Sequence, residues 1–399
     1  MELGFPTQRD DVEVSVDYFE NPKVVINSEK KFDYVIDFFD GDKLISQNTI
    51  QSNMYYQINR RYHVDWRIRV TIKQTNEIIF DEKYDPTGKK ILFDFGSKSI
   101  GDILAWLPYV EEYRKKHKCK ALVYIPNKLV EDVIDKSKYR ELYFLKNGER
   151  WTNVYKKFYM AISWNNSVEK DGKDLWRNDF TLHKRSAFFI SEQEVATDIL
   201  GLEYKELRTK VKFERNRRPQ NIPGNYVCIS IQSSSQAKYW NYPNGWQTIV
   251  DYIKSELGYS VVCIDKDKRF GNGQTMNELP KGVIDNTGNH PLTERAKTIY
   301  HSKFFIGIGS GLSWLSWCVG KPVILISSFS KPYTEFQTNV IRLYNDNYLS
   351  GYYNTGTYDR KYWNWNPIME CNTFEDWSRM ETITPEQVMK AIKEINTWN

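Results

Sequence analysis

The chain has 399 residues, 40% of them hydrophobic, enough for two or three domains with sizeable cores and too apolar for an intrinsically disordered chain. A formal net charge of +5 admits an anionic ligand but is too small for a protein that coats nucleic acid. Five cysteines (Cys119, Cys228, Cys263, Cys318, Cys371) stand singly with no CxxC pair, which argues against a disulfide framework and a thiolate metal site. No secretory signal and no apolar run of membrane-spanning length is present, so the expectation is a cytoplasmic protein.

Residues 1–88 alternate polar and apolar side chains, in runs broken by Asp-Gly and Thr-Asn. That period of two predicts antiparallel hairpins and a small β domain. The pattern then changes. "KILFDFG" reads as a buried strand, "IGDILAWLPYVEEYRKKHK" as a helix, "KALVYIP" as a strand and "NKLVEDVIDKS" as a helix. Strands alternating with helices predict a parallel sheet over residues 89–211. Residues 148–179 are rich in Trp and Tyr and show no clear period, whereas "LHKRSAFFISEQEVATDILGL" looks helical.

A basic, proline-containing stretch at 212–224 reads as a linker. A second α/β series follows at 225–334, opening with strand 226–232. In its first helix Trp246, Ile249, Val250, Ile253 and Leu257 share one face. Residues 335–399 form an aromatic tail, with Trp363 and Trp365 among its rings, closing on the helical "TPEQVMKAIKEIN". Two α/β domains around a linker predict a bilobal α/β molecule whose ligand lies between the carboxyl ends of the two sheets.

Three polar turns follow strands in these lobes, where backbone N–H groups and helix N-termini suit an anion. The first carries Ser99, Gly101 and Asp102. Asp102 is either a helix cap, a role Asp fills well, or a general base facing the cleft. The second, "IQSSSQAKYWNYP", offers Gln232, Ser233, Ser234, Ser235, Lys238 and Trp240: hydroxyls and an ammonium for a diphosphate, a ring for a sugar or base. The third, "GIGSGLSWLSWCVG", offers Gly309, Ser310, Gly311, Leu312 and Ser313. It fails the dinucleotide fingerprint, because Leu312 stands where the last glycine belongs, and it lacks the Gly-Lys-Ser/Thr of a P-loop. The five histidines are unclustered, and neither HExxH nor GxSxG occurs.

"ILFDFGSKSIGDILAWLPYV" and "FFIGIGSGLSWLSWCVGKPVILIS" together resemble the family 9 glycosyltransferases, the ADP-heptose-dependent heptosyltransferases. The β domain at the front and "SIQSSSQAKYWNYPNGW" resemble their autotransporter branch, which modifies protein serines. The resemblance implies a GT-B fold: two Rossmann-like domains facing across a cleft, behind an N-terminal antiparallel β domain. It implies an inverting, metal-independent transfer of heptose from a nucleotide-sugar to a protein Ser/Thr hydroxyl. It places Asp102 as catalytic base, with Ser99, Gly101 and Trp106 on the acceptor side. Gln232, Ser233, Ser234, Lys238, Trp240, Asp265, Thr287, Gly309, Ser310, Gly311, Leu312 and Ser313 fall on the donor side. The branch also carries a C-terminal cysteine cluster that binds iron and supports assembly into a ring. Here the tail holds Cys371 alone, so no metal or other cofactor is expected, while a homo-oligomer stays open. Rival readings are a glycosyltransferase acting on lipopolysaccharide core, another glycan or a modified DNA base, a non-catalytic nucleotide-sugar-binding module, and a nucleotide-sugar epimerase. The modest charge weighs against DNA and the missing fingerprint against the epimerase.

Overall fold

The computed structural model describes residues 9–162, 168–170, 173–176, 179–234, 238–272, 275–328, 330–345, 358–359, 380 and 382–398. Ser235, Cys371 and the tail rings Trp363 and Trp365 lie outside them.

The β domain comprises β1 (Val12–Asp17), β2 (Lys23–Ser28), β3 (Asp33–Asp40), β4 (Lys43–Gln51), β5 (Met54–Gln57), β6 (Trp66–Ile72) and β7 (Glu77–Lys83). They pair antiparallel as two sheets, β1-β2-β5 and β4-β3-β6-β7. The alternation buries Tyr34, Ile36 and Phe38 of β3 against Trp66, Ile68, Val70 and Ile72 of β6. The Asp-Gly signal is realised at Gly41, whose φ of 59° turns the chain from β3 into β4.

The first α/β lobe holds β8 (Lys90–Phe95), α1 (Ile100–His117), β9 (Lys120–Tyr124), α2 (Lys128–Val133), β10 (Leu142–Phe144) and β11 (Lys156–Met160), the short pair β12 (Val168–Lys170) and β13 (Lys173–Trp176), and α3 (Glu192–Leu200). Its sheet runs β10-β9-β8-β11, all parallel. Two differences from the sequence reading stand out. The irregular 148–179 stretch contributes β11, a full strand beside β8. The helix expected across 182–202 begins only at Glu192, because Ser191 caps it reciprocally with Glu194. The preceding residues form turns that bury Leu182, Ala187 and Phe188.

The second lobe holds β14 (Tyr226–Ser230), α4 (Gly245–Leu257), β15 (Ser260–Cys263), the hairpin β16 (Arg269–Asn272) and β17 (Thr275–Glu278), β18 (Ile284–Asp285), α5 (Leu292–His301), β19 (Phe305–Ile308), α6 (Gly311–Val319), β20 (Val323–Ile326) and β21 (Val340–Leu343). Its parallel sheet runs β18-β15-β14-β19-β20-β21, with the order reversing at β14. A ligand crevice is expected beside such a reversal. The tail adds β22 (Tyr358–Asp359), which pairs with β13 of the first lobe, and α7 (Pro385–Asn396). Val388, Ile392 and Ile395 of α7 are buried in the second lobe's core, and Trp240 donates its indole N–H to Ile383 O at 2.8 Å.

The lobes are not joined by the linker alone. Ile103 and Trp106 of α1 share one buried apolar cluster with Trp314, Trp317 and Phe336 of the second lobe. This cluster sets the spacing of the cleft above it.

Candidate functional site

The carboxyl ends of both sheets open into a cleft of about 990 Å³. Two helix N-termini meet at its floor, and glycine makes the approach possible. A Cβ on Gly101 of α1 would lie 2.9 Å from the Trp314 ring of α6, and one on Gly311 of α6 would lie 2.5 Å from Ile100 Cβ. Any side chain at either position would push the helices apart.

Asp102 stands in the first turn of α1 and does not cap it. Ser99 is the cap, its Oγ accepting from the Asp102 N–H at 3.5 Å. Ser97 Oγ accepts from the Ser99 N–H at 3.0 Å and donates to Asp102 Oδ2 at 2.6 Å. Among the described residues Oδ1 receives no hydrogen bond, and Asp102 lines the cleft. Of the two roles the sequence left open, the cap belongs to a neighbour.

At α6 the N-cap residue is Ser310, yet no side chain caps this helix, and Ser310 Oγ is buried with no partner among the described residues. The first turn lines the cleft with no side-chain oxygen capping its backbone N–H groups, an arrangement suited to an anion. Lys238 borders the same turn, with its Cδ 3.9 Å from a Cβ placed on Gly309. Burial lowers the affinity of the Lys238 amine for its proton, while Glu335, Asp102 and Glu192 raise it.

Beside this turn Asp265 is buried at the end of β15. It accepts from Ser230 Oγ at 2.6 Å and from the Ile231 N–H at 2.7 Å. Burial lifts its carboxyl to about 6 against the opposing pull of those bonds. Asp265 thereby ties the ends of β14 and β15 into a rigid wall, with Gln232 Nε2 donating to Asp267 O at 3.0 Å alongside.

Ser99, Gly101, Asp102, Gln232, Ser233, Ser234, Lys238, Asp265, Gly309, Ser310, Gly311 and Leu312 all line the cleft. Four expected residues do not. Trp240 is buried in the core beneath, where its ring packs on Trp246. Ser313 is buried with its Oγ donating to Ile308 O at 2.6 Å, so it serves the turn and not a ligand. Thr287 donates to Asp285 at 2.6 Å in its own turn. Trp106 is fully buried and donates its indole N–H to Glu192 O at 2.7 Å.

That last contact leads to two acids the sequence reading missed. Glu192, at the start of α3, and Glu335, which follows β20, both line the cleft. Burial, then the charge of Asp102, raises the Glu192 carboxyl well above the usual range, while Lys238 lowers it. Glu335 is ion-paired with Arg342 and accepts from Ser330 Oγ at 3.3 Å. The Ser-x-x-Glu box marks where α3 begins, but no pattern marks either acid as facing Asp102.

No protein-family model matches the chain. It is 31% identical over 396 residues to the autotransporter heptosyltransferase BAHTCr of Citrobacter rodentium, covering 98% of this chain and 91% of that protein. It is 30% identical over 396 residues to the autotransporter heptosyltransferase Aah of Escherichia coli, covering 98% and 96%. Its fold superposes with a TM-score of 0.83, at 27% identity and covering 100% and 99% of the two chains, on TibC of enterotoxigenic E. coli. That protein is described as a dodecameric iron-containing heptosyltransferase in complex with ADP-D-β-D-heptose. Fold, cleft and likeness together define the class, a glycosyltransferase of GT-B type. Within it, the chain belongs to the autotransporter heptosyltransferase family.

The described residues do not fit an iron centre like the one named for TibC. Cys119, Cys228 and Cys263 are buried, Cys318 is half-buried against the core, and among the described residues no three His, Cys, Asp or Glu are grouped to hold a metal. Also among the described residues, no helix is long and apolar enough to cross a membrane.

Proposed function

We propose that the protein transfers heptose from an ADP-heptose-type donor to a serine or threonine hydroxyl of an autotransporter protein, with inversion at the anomeric carbon. The observation that carries this reading is the pairing of an acid-bearing helix end with an uncapped one across a single cleft. In this reading residues 89–211 form the acceptor-side lobe and residues 225–334 the donor lobe. The donor's diphosphate lies on the α6 N-terminus at Ser310, Gly311 and Leu312, with Lys238 beside it. The acceptor oxygen attacks the anomeric carbon from the α1 side and forms the new C–O bond. The bond to the diphosphate breaks with its electron pair, and the acceptor's proton passes to Asp102 Oδ1. Ser97 holds the other carboxylate oxygen and so fixes the base. Lys238 and the α6 N–H groups meet the charge that grows on the leaving diphosphate. Relatives named for heptose and for autotransporters support the choice of sugar and acceptor, and the named assembly of TibC supports a homo-oligomer.

A thermal-shift screen of ADP-, UDP-, GDP- and CMP-sugars tests the donor, because a ligand bound only by the native state raises the melting temperature. The expected result is a shift with ADP-heptose that exceeds the others. A larger shift with a different nucleotide-sugar would reassign the donor.

A further inference from the structure

We propose that Glu192 reads the transferred sugar, its carboxyl hydrogen-bonding a hydroxyl of the glycosyl unit held between Lys238 and Asp102. The inference rests on the glycosyl-transfer reading above and extends it by giving the sugar its own recognition residue.

Position is the first ground. In a single displacement the anomeric carbon lies between the departing diphosphate oxygen and the base that receives the acceptor's proton. Glu192 lines the same cleft as Asp102 and Lys238, the two groups assigned to those ends, and their charges act on its carboxyl in opposite directions. A carboxyl that shares the cleft with both ends of the displacement is placed to meet what lies between them.

Rigidity is the second. The Glu192 N–H donates to Thr334 O of the second lobe at 2.8 Å, and the Glu192 carbonyl accepts from the buried Trp106 indole of α1. Its backbone is therefore held from both lobes, a placement that ordinary helix starts do not need.

The third ground is an unmet hydrogen bond. Glu192 Oε1 is buried and has no partner among the described residues. Two positions along the same helix Glu194 is fully engaged, accepting from the Ser191 N–H at 2.9 Å and from Arg185 at 3.0 Å. A buried carboxyl oxygen left unpaired is unfavourable unless a ligand group pairs with it. With Asp102 and Glu335 close by, a further anion is a poor occupant for this spot. A hydroxyl, able to donate and to accept, suits it better.

The test is calorimetry of ADP and ADP-heptose with wild-type protein, Glu192→Ala and Glu192→Asp. The alanine variant is expected to weaken ADP-heptose binding about ten- to hundredfold while ADP stays within about twofold. Aspartate keeps an acid that suits a helix start but withdraws the carboxyl by one methylene. It guards against a folding defect and is expected to weaken ADP-heptose alone, by a smaller factor. Unchanged ADP-heptose binding in both variants, or equal weakening of both ligands, overturns the assignment. A wild-type protein that binds neither ligand takes down the donor reading and this inference together, a result distinct from failure of Glu192 alone.

Discussion

The N-termini of α1 and α6 open into one cleft and are finished in opposite ways. At α1, Ser99 caps the helix and Ser97 links the turn to Asp102, so the backbone needs are met locally and an acid is left over. At α6 no side chain caps the helix, Ser310 Oγ has no partner among the described residues, and Lys238 borders the turn from a separate loop. Local sequence satisfies one end and leaves the other to be completed by something from outside. A helix end closed by its own side chains can present a base, and one left open can hold an anion.

The contrast is broken most strongly at Asp102. Asparagine preserves shape and suits a first turn but cannot take a proton. Asp102→Asn is expected to lower kcat about a thousandfold with the donor dissociation constant within about twofold. Turnover near wild type in the purified variant would remove the base. Next comes the anion side. Lys238→Ala is expected to weaken ADP binding about ten- to hundredfold, since a hydrogen bond to a charged group contributes about 1.5–3 kcal/mol. An unchanged calorimetric constant would place the diphosphate elsewhere.

A matched pair of serines sharpens the difference between the two ends. Ser99→Ala removes a working cap and is expected to cost about 1 kcal/mol in denaturant unfolding. Ser310→Ala removes a buried hydroxyl that has no hydrogen-bond partner among the described residues, and is expected to stay within about 0.5 kcal/mol. Equal losses from the two would mean that the helix ends are not built differently. The smallest effect expected is none. If Lys238 and the open end of α6 meet the leaving group's charge, exhaustive chelation leaves the transfer rate unchanged, and elemental analysis finds less than stoichiometric iron. A rate that collapses on chelation and returns with iron would assign a metal role to residues beyond those described.

Much of the fold is written in local pattern. Period-two alternation delivers the β domain, and apolar strands followed by helical stretches deliver β8–α1, β14–α4 and β19–α6. Strand β11 was hidden because the side chain that starts its inward face is Lys156. Its ammonium is buried, donates to Glu20 O at 2.7 Å and is pushed down to about 7 by that burial. A lysine in an apolar position breaks the alternation that announces a strand. The hairpin β16–β17 carries its polar residues on a short span and gave no signal of its own.

What the sequence determined by itself were the turns: which residues follow each strand, and that three such turns carry hydroxyls and an ammonium suited to a diphosphate, and an acid suited to a cap or a base. Periodicity and turn chemistry are short-range properties, so a linear reading reaches them. Tertiary structure alone decided which side chains in those turns face the cleft. It sent Trp240 and Ser313 inward and gave Trp106 to the Glu192 carbonyl. It also brought Glu192 and Glu335 within electrostatic reach of Asp102 and Lys238 from distant parts of the chain. Such encounters depend on two lobes sharing one core, and no spacing along a single segment records the distance between lobes.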